Sequence, residues 1–311
     1  MIVNELVTLF AVLIAVFLFG ITVMRLGLES LSKRHIEKMI LKMTDRPWKS
    51  FLIGIGLTAF IQSSSAVMVI TVGLLAAGVI HFKQTIGIIL GANIGTTITV
   101  EMITLDVSDA IIPFLVVGAI LLFFRSQWIF STGCILFGLG AVFTAINGLE
   151  ELAEPLASLK LVHHLLLVTN DNHLAGASVG AVFTGAIQSS SAATGIIMAF
   201  VNKGQLTLSA GTAIVLGANI GTCFTAWLAS FKTNIEAKLA SYAHIGLNVA
   251  GVILFLPFID QLAALALRLS PYPDAQIAHI SVIFNVFCSL AALPFTEQIA
   301  NFFYRIFGRQ A

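Results

Sequence analysis

The residues best suited to chemistry in this sequence form two repeated words. Gln62, Ser63, Ser64 and Ser65 stand in "FIQSSSAVMV" (60–69), and Gln188, Ser189, Ser190 and Ser191 stand in "AIQSSSAA" (186–193). Each word puts one amide and three hydroxyls into an apolar run, where polar groups are costly unless they find partners. A serine that follows a chain break can cap the next helix. The free amides of that helix start, and the positive end of its dipole, then join the hydroxyls as donors. Two such ends aimed at one point suit an anion with many oxygens. A single such word reads first as small residues that let helices approach; the pairing favours a binding site.

The second word is "GANIGTT" (91–97), repeated as "GANIGTC" (217–223). Two glycines inside a helix weaken it by roughly 1 kcal/mol each relative to alanine. An unwound turn with freed carbonyls is the expected result. Asn93, Thr96 and Thr97 add side-chain oxygens in the first copy, as do Asn219, Thr222 and Thr225 in the second. Gln62 and Gln188 are expected to brace their tips or share the ion. Oxygen-only ligands at a helix break favour a hard cation such as Na⁺ or H⁺. The competing reading is close helix packing at small residues.

Both words recur at the same offset of 126 residues, as do Thr58 with Thr184 and Gly78 with Gly204. Two words in one register imply a duplication. The elements that carry them are membrane elements. The chain of 311 residues is 58% hydrophobic and only 10% charged, where a soluble domain carries roughly 25% charged residues. Its net charge of +1 says nothing about partners, but with no basic patch interleaved with aromatics a nucleic-acid partner is not expected. Cys134, Cys223 and Cys288 lie in apolar runs, form no CxxC pair, and read as packing residues.

The run Glu5–Met24 is long enough to cross a bilayer core of roughly 30 Å and lacks the form of a cleaved signal. Seven basic residues between 25 and 49 follow it, which puts that loop in the cytoplasm and the amino terminus outside. Further crossings are expected at 84–105, 110–124, 128–147, 206–228, 240–258 and 277–296. The QSSS segments, 48–80 and 174–202, are different. The arm from Trp48 to Gln62 spans only about 22 Å at 1.5 Å per residue, so each segment is read as a re-entrant hairpin whose polar tip faces protein or a cavity. Three crossings between the tips turn the second copy upside down, the plan of secondary transporters with a site between inverted repeats.

No Lys or Arg is expected in the core of a crossing or near either tip, so a bound anion would rely on co-bound cations for its counter-charge. Glu101 lies near the outer end of a crossing and is expected to snorkel. His244 and Asn248 share a helix face, to brace the second tip or bond a neighbouring helix. Segments 28–43 and 154–168 read as amphipathic interface helices.

The paired QSSS and GANIGT words, with "AHIGLN" at 243–248, resemble the type II sodium–phosphate cotransporter family and its bacterial relatives, over most of the chain to about Pro294 and Phe295. The first copy, "AIIPFLVVGAILL" (110–122), lacks the His and Asn that mammalian members carry there, and the chain stops at Ala311 without the regulatory domain that some bacterial relatives append. The resemblance implies Na⁺-driven uptake of inorganic phosphate. Phosphate would sit on Ser63, Ser64, Ser65, Ser189, Ser190 and Ser191. Sodium would sit near Gln62, Asn93, Thr96, Thr97, Gln188, Asn219, Thr222 and Thr225, with His244 and Asn248 in support.

The reading is therefore an all-α integral membrane protein of the cell membrane, with its carboxyl terminus in the cytoplasm. Repeat 1 is expected over 1–125 and repeat 2 over 126–258, with a closing helix and tail over 259–311. The expected function is sodium-coupled phosphate import by alternating access. It is not an enzyme, and needs no cofactor beyond the coupling ions. The rivals are a sodium-coupled transporter of another oxyanion or a dicarboxylate, and an anion channel.

Overall fold

The computed structural model describes residues 3–41 and 46–308, the side chains of 32–41 excepted. Among the described residues all regular structure is helical. In chain order the helices are α1 (Val3–Leu41), α2 (Pro47–Ile61), α3 (Ser64–Ala76), α4 (Phe82–Met102), α5 (Ile111–Leu121), α6 (Gln127–Ala157) and α7 (Lys160–Asp171). There follow α8 (His173–Ile187), α9 (Ser190–Asn202), α10 (Leu208–Ser230), α11 (Ile235–Phe255), α12 (Ile259–Leu269), α13 (Pro273–Ala292) and α14 (Thr296–Phe307). Among the described residues, six stretches are long and apolar enough to cross a membrane: Val3–Leu31, Phe82–Met102, Gln127–Ala157, Leu208–Ser230, Ile235–Leu269 and Pro273–Phe307. The last two each contain Leu-Pro-Phe, at Leu256–Phe258 and Leu293–Phe295, where the helix tightens into a 3-10 turn. Proline cannot donate and crowds the preceding turn, so α12 and α14 leave at these points as amphipathic pieces.

The two QSSS segments are each a pair of short helices. Arms α2 and α8 have 15 residues, and α3 and α9 have 13, so each arm is only about 20–22 Å long. Chemistry at the far end is also duplicated. Gly78 and Gly204 have φ of +69° and +66°, the left-handed geometry that glycine adopts without penalty. Each closes its helix with a bond from the following residue: Val79 N–H donates to Leu74 O, and Gln205 N–H to Phe200 O, both at 2.9 Å.

Three expectations need correction. The GANIGT words do not unwind: α4 and α10 run unbroken through them. Their glycines are spent on close packing instead. A methyl at Gly95 would lie 2.6 Å from Thr58 Cβ and 2.8 Å from Ile55 O, and one at Gly221 would lie 2.7 Å from Thr184 Cβ and 2.5 Å from Ala181 O. Gly91 meets Phe51 O, and Gly217 meets Ala177 O, in the same way. So α4 lies backbone to backbone on α2, and α10 on α8, in the same 126-residue register. Second, the span expected at 110–124 is a 3-10 turn plus α5, Ser108–Leu121. That is roughly 21 Å, short of a bilayer core, because a turn at Phe123 and Phe124 ends the helix early. Third, α1 does not end near Met24; it is apolar through Leu31 and helical to Leu41. The expected interface helix at 28–43 is thus continuous with α1, and its side chains from residue 32 lie outside the described residues. At 154–168, α6 runs on to Ala157, and the amphipathic piece is α7.

The hairpins interlock. Arm α3 packs on α10 and α11, and arm α9 packs on α4, α6 and α13. Each second arm therefore lies against the GANIGT helix of the other copy. The core is buried and apolar, with Leu57, Met68 and Ile88 in one cluster and Ile196, Phe200 and Val215 in another.

Candidate functional site

The tips are built alike. Gln62 and Gln188 end the first arms in the left-handed region, at φ +54° and +59°, and their N–H groups close on Thr58 O and Thr184 O at 2.7 Å. Ser63 and Ser189 then take extended backbone and cap the second arms. Their Oγ atoms accept from Ala66 N and Ala192 N, each at 3.2 Å. The sequence thus places the break at the glutamine and the helix start one residue on, because a side-chain acceptor at the cap satisfies an otherwise orphaned donor. The N–H groups of Ser64, Ser65, Ser190 and Ser191 precede the first intrahelical bonds, which begin at Val67 and Ala193. Among the described residues the hydroxyls of these four serines bond to no protein acceptor.

All six serines and both glutamines line one cavity of about 470 Å³. Thr22 and Arg25 from α1, Thr96 from α4 and Thr225 from α10 complete its polar wall. Gln62 is 7% exposed, and its amide is locked. Nε2 donates to Ala59 O at 2.6 Å, and Oε1 accepts from the buried Thr99 Oγ1 at 2.6 Å. The first tip is thereby tied to α4. Gln188 has no matching tie among the described residues and is exposed.

Of the residues expected near sodium, Gln62, Thr96, Gln188 and Thr225 reach this cavity. Asn93, Thr97, Asn219 and Thr222 do not. Thr97 is buried with Oγ1 on Ile94 O, Thr222 Oγ1 donates to Asn219 O, and Asn219 Nδ2 donates to Val215 O. Asn93 Nδ2 donates to Asn248 Oδ1 at 3.2 Å, joining α4 to α11. Both amides line a second cavity of about 250 Å³ between α4, α11 and α13. Asn248 Nδ2 closes on His244 O, and the His244 ring is buried with neither nitrogen hydrogen-bonded among the described residues. Glu101 meets the His279 Nδ1 of α13 at 2.9 Å, with both side chains about one-third exposed; it is tied down as well as near the surface.

The absence of any basic residue near the tips is the expectation that fails most clearly. Arg25 lines the cavity, and its Nη2 lies 3.5 Å from Gln62 O, at the long limit of a hydrogen bond. Closing the first span at Met24 assigned Arg25 to a loop. The helix instead continues, and the α2–α3 break folds back to the level of that turn. Only the length of the apolar run, which extends past Arg25 to Leu31, carried a hint of this.

Fold and site together define a multi-pass helical membrane protein that gathers two polar helix breaks around one cavity. The chain belongs to the Na⁺/Pi-cotransporter family, whose sequence profile matches residues 16–151 and 153–268. It is 42% identical to the uncharacterized protein YqeW of Bacillus subtilis, over 96% of this chain and 95% of that one. It is 25% identical to YjbB of Salmonella typhimurium, named as a candidate inorganic phosphate export protein, over 94% of this chain. The chain spans about half of YjbB, 54% of its length. A shorter match, 31% identical over 36% of this chain and 19% of the relative, is to the rabbit (Oryctolagus cuniculus) sodium-dependent phosphate transport protein 2A. No solved structure matches the chain.

Proposed function

We propose that this protein carries inorganic phosphate across the cell membrane, coupled to sodium, by alternating access about the QSSS cavity. The observation that carries the reading is the convergence of both tips on one cavity walled by hydroxyls and helix-start amides. Such a wall is rich in donors and matches an anion rich in acceptor oxygens. The sodium-dependent name of the mammalian relative supports coupling. Sodium would use the oxygens of Gln62, Thr96, Gln188 and Thr225 beside the anion. Asn93, Asn219, Thr97 and Thr222 would support the helices that hold those oxygens, and His244 and Asn248 would link the copies.

Opposed hairpins require an odd number of crossings between them, and so require the short α5 to cross. Its apolar side chains favour this: Ile112, Val116 and Ile120 are all exposed, as lipid-facing residues would be. The amino terminus would then lie outside and the carboxyl terminus inside. An inward sodium gradient would drive import. Export is the second reading, favoured by the name that YjbB carries. The experiment is phosphate flux in proteoliposomes, with sodium gradients imposed in each direction. Inward flux that follows an inward gradient supports sodium-coupled import. Flux indifferent to sodium would remove the coupling and leave a uniporter or channel.

A further inference from the structure

Among the described residues Arg25 is the one charged side chain in the wall of the QSSS cavity, whose other polar members are amides and hydroxyls. Its guanidinium keeps its charge under all ordinary conditions. One nitrogen, Nη2, reaches Gln62 O at 3.5 Å, and Nε is buried with no hydrogen-bond partner among the described residues. No ion pair to Arg25 occurs among the described residues either. Glu29, one turn on, acts on it only through space. The side chain as a whole is partly buried, and a buried donor such as its Nε is costly to leave without a partner. Around it the cavity presents two helix starts and six serines and, among the described residues, no carboxylate. The helix starts and Arg25 are positive, while the carbonyl ends of α2 and α8, at Gln62 and Gln188, also reach the cavity; among the described residues Arg25 is thus the full fixed charge of the wall, in place before a cation binds.

We infer that Arg25 is the fixed counter-charge for the oxyanion in the QSSS cavity, and that it gives the protein a phosphate affinity that persists without sodium. The inference rests on the phosphate reading above. A planar guanidinium presents paired N–H donors that match two oxygens of one tetrahedral anion. The Gln62 carbonyl holds that fork at the first tip. The charge is not duplicated: the residue in the same register of the second copy is the exposed Glu151. The two tips are therefore unequal, with the Ser63–Ser65 side electrostatically favoured.

The test is equilibrium binding of radiolabelled inorganic phosphate to the purified full chain, in saturating sodium and in sodium-free choline buffer. Wild type is expected to bind in both. Arg25→Gln is expected to weaken phosphate binding by about tenfold or more in saturating sodium, and to abolish binding in choline. Arg25→Lys, which keeps the charge and loses the fork, should fall between. Should Arg25→Gln fail to fold, phenylglyoxal modification of wild type replaces it: phosphate should protect Arg25, followed by peptide mass mapping, in choline buffer. A folded Arg25→Gln within twofold of wild type in both buffers would overturn the inference, as would modification of Arg25 unaffected by phosphate. Wild type that binds phosphate only with sodium would overturn the sodium-independent affinity while leaving the phosphate reading intact. Wild type that binds phosphate in neither buffer would remove both.

Discussion

Alanine at Gly221 separates the two readings of the GANIGT word by sign. The new methyl would sit 2.5 Å from Ala181 O, 2.7 Å from Gly185 N and 2.7 Å from Thr184 Cβ. Two of these neighbours are backbone, which cannot swing away. To reach ordinary contact α10 and α8 must part by roughly 1 Å, and overpacking of this kind costs about 1–3 kcal/mol. Alanine returns up to about 1 kcal/mol of helix propensity, so a net loss of about 1–2 kcal/mol is expected. Gly73 in α3 is the control: it has the same helical setting, but nothing lies within 4 Å of a methyl placed there. Gly73→Ala should therefore stabilise, by up to about 1 kcal/mol. Thermal unfolding of both variants in detergent reads the difference. Because Gln188 follows Thr184 by one turn, Gly221→Ala should also weaken phosphate binding. If Gly221→Ala is as stable as wild type, the close packing of α8 on α10 is not what this glycine provides.

Four further outcomes are expected. Ser64→Ala and Ser190→Ala should each lower phosphate affinity at saturating sodium by about tenfold, with Ser64 the more severe; affinities within twofold for all six tip serines would make the tips structural. Thr99→Val leaves the buried Gln62 Oε1 without its donor and should cost about 1–3 kcal/mol; an unchanged unfolding temperature would show the brace to be idle. Thr96→Val and Thr225→Val, which face the cavity, should raise the sodium concentration for half-maximal flux more than Thr222→Val, which does not; the reverse order would return the ion to the GANIGT interior. Single cysteines at Lys49 and Lys83 should label from one side of the membrane, and those at His173 and Lys203 from the other; label reaching Lys49 and Lys83 from opposite sides would end the hairpin arrangement.

Much of the site is local chemistry and can be read residue by residue. Gln62 and Gln188 break their helices because a capping serine follows each. Ser63 and Ser189 cap because their Oγ reaches the amide three residues on. Gly78 and Gly204 turn the chain because glycine lacks the Cβ that a positive φ opposes. Elsewhere local propensity points the wrong way because packing outranks it. Glycine does weaken an isolated helix, but in α4 and α10 the contact it permits with α2 and α8 offsets that cost.

What the sequence by itself determined is the register of 126 residues, the two breaks and their caps, and the apolar mass that commits the chain to a bilayer. Each depends on neighbours within about four residues or on composition. Tertiary structure alone decided which polar residues share a cavity. Asn93 and Thr96 are three residues apart on one helix, and nothing local says that Thr96 faces the tips while Asn93 bonds Asn248. That rotation is imposed by the glycine face of α4, which has one orientation against α2. Arg25 enters the cavity for a similar reason. Its place depends on where a hairpin 37 residues further on folds back against α1, and a long-range contact of that kind leaves no mark on the residues around it.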